Sequence, residues 1–166
     1  YLRKAFETHE IMVCVVINGK TLPHSCEFCE MLKNEINGIT SIMLNFNTKD
    51  TNVIMGDKCA VLYGKDHITD ILCGVKVKIS PLSFYQVNHA VSQKLYEKAA
   101  EYAEPENKTV IDLYCGTGTI GLSMSKKAQK IFGAEIVPEA VEDAKFNAGQ
   151  NDITNADFYC GDAKDA

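Results

Sequence analysis

A carboxylate followed by a glycine-rich loop is the feature of this chain most able to do chemistry. The segment TVIDLYCGTGTIGL, residues 109–122, reads as an apolar strand, a loop and the start of a helix. Gly116, Gly118 and Gly121 have the spacing GxGxxG, in which glycine lets the backbone approach a ligand and a helix begin close to a sheet. Glu135 follows about 20 residues on, as in a βαβ unit. The segment therefore predicts a nucleotide-type cofactor pocket.

Three acids indicate which cofactor this pocket takes. Asp112 ends the first strand and would repel the pyrophosphate of a dinucleotide by roughly 1 kcal/mol or more. S-adenosylmethionine carries a sulfonium and an ammonium group, which a carboxylate attracts. Glu135 suits the ribose of either cofactor, and Asp162 can accept from an adenine amine after a third strand. The acids favour S-adenosylmethionine over a dinucleotide, and the structural alternative is that Asp112 and Asp162 only cap helices.

A second candidate constellation precedes the loop in ISPLSFYQVNHAVSQ. Phe84, Gln86 and Asn88 alternate, so an extended chain places all three on one side. A ring and two amides suit a planar heterocycle, through stacking and paired hydrogen bonds. The simpler interpretation, which the residues alone favour, is that Asn88 caps a helix and Phe84 packs in the core.

Composition indicates a soluble, cytoplasmic protein. The chain has 166 residues, of which 46% are hydrophobic and 23% charged, with no long apolar run or basic leader. Its seven cysteines form no regular framework and are expected to be reduced. A net charge of −5 provides no footprint for nucleic acid. Because the chain begins with Tyr1 and its last strand unit is barely complete at Ala166, we expect an internal fragment of a longer protein.

The order of elements predicts an α/β chain with two domains. Residues 1–80 read as a small α+β domain with a mostly antiparallel sheet and one helix, which Ser25 caps and Gly38 ends. Its last predicted strand covers residues 71–79. Residues 81–166 begin with a helix and then alternate between strand and helix, which predicts the first half of a Rossmann-like parallel sheet. The predicted helices of this second domain cover residues 87–102 and 119–127.

Two motifs together resemble a known family. SPLSFYQVNHAV followed by VIDLYCGTGTIGL is similar to the RNA (uracil-5-)-methyltransferases, which modify 23S rRNA and tRNA. The segments TNVIMGDK and TDILCGVKVKISP are similar to the central domain of that family, so the resemblance covers nearly the whole chain. It implies a central domain in residues 1–80 and the N-terminal part of an S-adenosylmethionine-binding domain in residues 81–166.

The resemblance also implies site residues and a reaction. The matching cofactor positions are Gln86, Tyr114, Glu135 and Asp162, with Asp112, Gly116, Gly118 and Thr119 in the same loop. Phe84 and Asn88 stay candidates for binding the substrate base. The reaction needs a thiolate that adds to uracil C6 and a base that removes the C5 proton. In the family both lie beyond the glycine loop, so we assign no catalytic residue here and expect RNA to bind through the full-length protein.

The cysteines and the sheet edge lead to further expectations. Cys115 lies where a helix N-terminus could lower its pKa, but packing is the favoured role. Cys26 and Cys29 form a single CxxC, whereas a metal site needs about four ligands, so we expect no metal. An unpaired edge at residues 110–113 predicts self-association of the isolated chain. The competing functions are a dinucleotide-dependent oxidoreductase, supported by GxGxxG and Glu135, and a non-catalytic S-adenosylmethionine-binding module.

Overall fold

The computed structural model describes residues 1–165 as two compact units. The first unit contains Tyr1–Asp70 and Ile79–Leu82. The second contains Ile71–Lys78 and the chain from Ser83 onward. None of the helices in the described part of the chain combines the length and the apolar character that crossing a membrane requires.

The first unit is a four-stranded sheet with one helix. The strands are β1 (Leu2–Lys4), β2 (Ile11–Ile17), β3 (Ile39–Phe46) and β4 (Lys58–Gly64), in that spatial order. The β1–β2 and β3–β4 pairs are antiparallel and β2–β3 is parallel, so the sheet is mostly antiparallel, as predicted. Helix α1 (Ser25–Glu35) connects the two parallel strands, because parallel neighbours need a crossover.

The ends of α1 differ from the sequence prediction. Ser25 is the first helical residue and not the cap, and His24 occupies the N-cap position in the left-handed region without a side-chain hydrogen bond. The helix ends at Glu35, because the next residue, Ile36, is extended. Gly38 lies beyond this end, with a φ of 92°. A small polar residue before an apolar stripe therefore located the helix, while the chain entering it decided which residue caps it.

The predicted strand over residues 71–79 is wrong, because the chain turns back on itself there. Strand β5 (Ile68–Leu72) and strand β6 (Val75–Ile79) form a two-stranded sheet. The two residues between them, Cys73 and Gly74, have φ of 50° and 75°. Positive φ at both central residues is the geometry of the tight hairpin turn whose twist matches that of the strands. Glycine signals such a turn, but a cysteine in the left-handed region does not.

The second unit contains a parallel sheet and three α-helices. After α2 (His89–Ala103) come β7 (Thr109–Leu113), α3 (Thr119–Ser123), β8 (Lys130–Glu135), α4 (Pro138–Gln150) and β9 (Ala156–Cys160), then a 3-10 turn at Ala163–Asp165. Strands β7, β8 and β9 lie side by side in chain order, all parallel. This arrangement confirms the predicted Rossmann-like pattern. Helix α3 is shorter than the predicted 119–127, because i to i+3 bonds such as Met124 N–H to Gly121 O tighten its end.

The core of the second unit lies on one face of this sheet. Leu122 of α3, Val141 and Ala144 of α4 and Phe158 of β9 are buried together there. The opposite face of β7 is open, with Ile111 66% exposed. Within the described residues β7 pairs with β8 alone, so it is the edge strand that the sequence predicted.

Candidate functional site

The glycine loop connects β7 to α3 through a run of left-handed residues. Tyr114, Gly116 and Gly118 have φ of 61°, 54° and 78°. A Cβ at Gly118 would lie 2.8 Å from the ring of Phe158 and 3.1 Å from Ala144 Cβ, so glycine is required there by packing as well as by φ. A Cβ at Gly116 would meet no heavy atom of the described chain within 4 Å. The backbone at Gly116 is therefore open to a ligand.

The carboxylate of Glu135, at the end of β8, is hydrogen-bonded to this loop. Its Oε2 accepts the Gly116 N–H at 3.0 Å and its Oε1 accepts the Val137 N–H at 3.0 Å. The Cys115 N–H donates to the Ala134 carbonyl at 3.0 Å, which extends the contact between β7 and β8 into the loop. A carboxylate has about four lone-pair sites, so Glu135 retains acceptor capacity for hydroxyl groups of a ligand.

Asp112 combines a capping contact with an uncompensated charge. Its Oδ2 accepts the Gly121 N–H at 2.9 Å, which caps the first turn of α3. Burial raises the pKa of Asp112, and the hydrogen bond from Gly121 partly opposes that rise. Along the described chain no lysine or arginine forms an ion pair with this carboxylate. The ionised group is consequently short of solvation, and a cation placed beside it would be stabilised.

Asp162 follows β9 and also makes a capping contact. Its Oδ1 accepts the Lys164 N–H at 3.1 Å, and its Oδ2 lies 2.9 Å from Lys164 Nζ. The backbone N–H of Lys164 and then its ammonium group lower the pKa of Asp162. Both contacts that the capping alternative requires are thus present, at Asp112 and at Asp162. Neither contact uses all the acceptor sites of its carboxylate.

The start of α3 is joined to α2 through two hydroxyl groups. Thr119 is the first residue of α3, and its Oγ1 lies 3.3 Å from the hydroxyl of Tyr96. Tyr96 is only 6% exposed, so this contact is shielded from water. Tyr96 could not be singled out from the sequence, because an aromatic residue on a helix stripe gives no signal beyond core packing.

The aromatic and amide segment before α2 agrees with the sequence predictions only in part. Asn88 is the N-cap of α2 and its Oδ1 accepts the Val91 N–H at 3.2 Å, as the simpler interpretation predicted. Phe84 is 79% exposed, so its expected place in the core is wrong. Gln86 is half-buried, and its side chain makes no hydrogen bond to the described residues. An exposed ring and an uncommitted amide therefore lie two residues apart in a segment outside regular structure.

Cys115 is a buried packing residue whose thiol is harder to deprotonate than an ordinary cysteine. Burial and the nearby carboxylates of Asp112 and Glu135 raise its pKa to about 12. The suggested lowering of its pKa by the helix N-terminus is therefore wrong, because two negative charges and desolvation outweigh that dipole. The CxxC pair is divided between the exposed Cys26 and the buried Cys29. Among residues 1–165, no three or more His, Cys, Asp or Glu side chains group as metal ligands.

Helix α4 and its C-cap carry a polar stripe that was not predicted from the sequence. Asp143 and Asn147 of α4 and its C-cap, Asn151, are spaced four residues apart, and Asn147 is fully buried. Asn147 Nδ2 donates to the Thr117 carbonyl at 2.9 Å, between the two left-handed glycines of the loop. Polar residues at helical spacing inside an otherwise apolar face were the available signal.

The fold and this site define the class of protein. The parallel sheet, the glycine loop and an acid at or just beyond the carboxyl end of each strand match a Rossmann-like methyltransferase domain. The solved structure of the Pyrococcus abyssi tRNA (uracil-54, C5)-methyltransferase, in complex with S-adenosyl-L-homocysteine, aligns with a TM-score of 0.80 and 28% identity, covering 96% of this chain and 38% of that one. The M. jannaschii tRNA m1G37 methyltransferase shares the fold with a TM-score of 0.60 at 14% identity, over 99% of this chain and 49% of that one.

The family follows from sequence comparison. Residues 52–163 match the sequence profile of the tRNA (uracil-5-)-methyltransferases, and the chain belongs to this family. A relative from Clostridium tetani, described as an uncharacterized RNA methyltransferase, is 46% identical over 164 residues, 98% of this chain and 36% of the relative. A Clostridium acetobutylicum relative with the same description is 46% identical over 165 residues, 99% of this chain and 36% of that protein. The family predicted from the motifs is confirmed, and the chain spans about a third of the length of these relatives.

Proposed function

We propose that the chain belongs to an S-adenosylmethionine-dependent methyltransferase that acts on C5 of a uridine in rRNA or tRNA, and that its second unit holds the cofactor. The observation that carries this proposal is the carboxylate of Asp112, half-buried beside the glycine loop without a cationic partner in the described chain. Membership of the uracil-5 family supports the substrate class. The likeness to a structure solved with S-adenosyl-L-homocysteine supports the cofactor.

The residues present fit S-adenosylmethionine. Asp112 would attract its cationic groups, because a desolvated carboxylate gains most from an adjacent positive charge. The open backbone at Gly116 leaves room for the ligand, and Glu135 keeps lone pairs for ribose hydroxyls. Asp162 would accept from the adenine amine. When bound, S-adenosylmethionine supplies an electrophilic methyl group on its sulfonium. The remaining proposed cofactor residues are Gln86, Tyr114, Gly118 and Thr119.

A dinucleotide fits the same site less well. Its pyrophosphate would lie near the N-terminus of α3, where the Gly121 N–H already donates to Asp112 Oδ2. Burial already raises the pKa of Asp112, which means that it disfavours the charged form of this carboxyl. Adding two phosphate charges would increase that cost. The electrostatics of the loop therefore favour a cationic cofactor.

We further propose that the nucleophile and the general base lie outside residues 1–166. Uracil C5 becomes nucleophilic when a thiolate adds at C6, so the reaction needs an accessible cysteine of ordinary or lowered pKa. Cys115 is buried and its pKa is raised to about 12. The chain also spans only 36% of its relatives, which leaves most of their length to supply both groups.

Phe84 and Asn88 are the proposed contacts to the substrate base. The Phe84 ring is 79% exposed, which is what stacking on an unpaired base requires. Asn88 caps α2 through Oδ1 and so offers mainly its NH₂ group to a ligand.

An rRNA or tRNA substrate would place the full-length protein in the cytoplasm. The exposed edge of β7 supports self-association of the isolated chain.

Calorimetric titration of the 166-residue chain with S-adenosylhomocysteine, and separately with NAD, tests the cofactor proposal. The wild-type chain should bind the homocysteine compound and give no response to NAD. Asp112→Asn should weaken that binding by roughly tenfold, because the hydrogen bond from the cofactor ammonium loses its charge assistance. Asn retains an oxygen for the Gly121 N–H, so the cap of α3 survives.

Asp157→Asn is the matched control. Asp157 lies on β9 and pairs with Lys130 at 2.7 Å, half-exposed and without a hydrogen bond to the loop. This variant makes the same change of charge on the same sheet, and its affinity should equal that of the wild type. Tight NAD binding, or an unchanged affinity in Asp112→Asn, would contradict the proposal.

A further inference from the structure

The polar stripe of Asp143, Asn147 and Asn151 requires partners, because two of its three side chains are buried. Asp143 is 7% exposed and Asn147 is fully buried, on a helix that also places Val141 and Ala144 in the core. Buried polar groups destabilise a fold unless they are hydrogen-bonded. The partners of this stripe therefore reveal what the helix holds in place.

One set of partners is the backbone of β6. Asn151 accepts the Lys76 N–H at 2.8 Å and donates to the Lys76 carbonyl at 2.7 Å. Asn147 Oδ1 accepts the Lys78 N–H at 2.8 Å. Lys76 and Lys78 are two residues apart, so these groups point to the same edge of β6. Asn147 and Asn151 thus occupy hydrogen-bonding positions that a neighbouring strand would otherwise fill.

The Lys78 side chain reinforces this attachment. Its Nζ lies 2.9 Å from Asp143 Oδ1, and the two side chains are 17% and 10% exposed. The ammonium group also lies 5.2 Å from the centre of the Phe146 ring. Breaking a shielded ion pair of this kind leaves an uncompensated charge, so β6 is held firmly against α4.

Asn147 alone in this stripe also reaches the glycine loop. While its Oδ1 accepts from Lys78, its Nδ2 donates to the Thr117 carbonyl at 2.9 Å. Thr117 stands between Gly116 and Gly118, which both have positive φ. Glycine has the largest conformational freedom to lose, so a loop of this composition needs external contacts to keep one shape. A single amide therefore links β6 and α4 to the glycine loop.

We propose that Asn147 is a positioning residue that holds the glycine loop in its binding conformation before any ligand arrives. The Thr117 carbonyl shares its peptide plane with the Gly118 N–H, which donates to Cys115 O at 2.8 Å, so fixing that carbonyl also fixes the turn that contains the Gly116 N–H directed at Glu135. The loop then loses little further freedom on binding, and preorganisation of this kind increases affinity. The affinity part of this inference rests on the proposed cofactor, whereas the ordering of the free loop does not.

Asn147→Asp tests the bond to the loop selectively. Aspartate has nearly the same shape and keeps an oxygen to accept the Lys78 N–H, but it replaces the NH₂ donor by an acceptor facing the Thr117 carbonyl. Asn151→Asp is the control, because it removes the same kind of donor, here from the Lys76 carbonyl and from the Asn147 backbone carbonyl, at a half-buried position that touches no loop residue. Melting curves of both variants establish that they fold.

Amide hydrogen exchange of the free, ¹⁵N-labelled chain is the first readout. The Gly116 and Gly118 amides are hydrogen-bonded to Glu135 and to Cys115 O, so their exchange rates report the order of the loop. Asn147→Asp should accelerate their exchange by about tenfold. Asn151→Asp should leave both rates unchanged. Equal acceleration in the two variants, or none in Asn147→Asp, overturns the proposal.

Two further measurements separate this inference from the proposed function. Titration with S-adenosylhomocysteine should show a dissociation constant about tenfold higher in Asn147→Asp than in Asn151→Asp. If the wild type binds no S-adenosylhomocysteine, the proposed cofactor is wrong and the exchange result still decides the role of Asn147. If Asn147→Asp does not fold, the wild-type side-chain NH₂ protons of Asn147 replace it. Exchange of these protons at the same rate as the Gly116 and Gly118 amides, as joint opening requires, supports the proposal, and faster exchange of the loop amides while the NH₂ protons stay protected overturns it.

Discussion

Gly118→Ala is the substitution whose effect follows most directly from the structure. The new Cβ would lie 2.8 Å from Cε1 and Cζ of Phe158 and 3.1 Å from Ala144 Cβ, distances at which the surroundings must move. Overpacking a core in this way costs about 1–3 kcal/mol. The φ of 78° adds left-handed strain of about 1–2 kcal/mol for a residue with a Cβ. We therefore expect the free energy of unfolding to fall by about 2–5 kcal/mol.

Gly116→Ala separates the two contributions. Its φ of 54° imposes the same left-handed strain, but its Cβ would meet no heavy atom of the described chain within 4 Å. Its free energy of unfolding should fall by only about 1–2 kcal/mol. Urea denaturation followed by circular dichroism measures both variants at the same pH and protein concentration.

The double variant Gly118→Ala with Phe158→Leu checks the mechanism. Leucine lacks the ring atoms that meet the new Cβ, so Gly118→Ala should cost less in that background than in the wild type. Equal destabilisation by Gly118→Ala and Gly116→Ala would refute the packing argument, because strain alone would then explain both. An equal cost of Gly118→Ala in the wild-type and Phe158→Leu backgrounds would refute it as well.

Three other outcomes follow from the burial and charges of the second unit. Burial raises the pKa of Asp112, so the folded state binds its proton more tightly than the unfolded chain and stability falls as pH rises above about 4. In urea denaturation at pH ~7, Asp112→Asn should then have a higher free energy of unfolding than the wild type. This difference should disappear below pH ~4, and a difference that does not depend on pH contradicts the prediction. Iodoacetamide at pH ~8 should modify the exposed Cys26 and spare Cys115, whose pKa is about 12, as peptide mass spectrometry can test. Light scattering should show wild-type self-association that Ile111→Lys reduces, since Ile111 is 66% exposed on the edge strand, and a concentration-independent monomer contradicts it.

Much of the second unit could be predicted from sequence, because its signals are local. The apolar run of β7, the acid Asp112 and the spaced glycines lie within 13 residues, from Thr109 to Gly121. Strand, loop and helix preferences act over such distances. The same short range explains the errors. The turn at Cys73 was not predicted, because a cysteine in the sequence gives no signal for a positive φ.

The roles of individual side chains were less predictable. The sequence indicated an acid near the loop but not that the Gly121 N–H would cap it at 2.9 Å. It favoured packing for Cys115 and left a lowered pKa as the alternative, whereas the fold buries that thiol and brings the charges of Asp112 and Glu135 close to it, which raises its pKa. Phe84 has the residue type of a core position and is 79% exposed. Burial and charge at these sites depend on segments that chain order alone does not bring together.

The sequence by itself determined the class of the protein: a strand, an acid and a glycine loop, with motifs that assign the uracil-5 methyltransferase family. These properties depend on residue types that lie only a few positions apart in the chain. Only the tertiary structure decided how the loop is held. Asn147 contacts Lys78, 69 residues away, and Thr117, 30 residues away. A side-chain amide has no preferred partner until folding places a donor and an acceptor on either side of it. No local sequence pattern could therefore predict that Asn147 holds the loop.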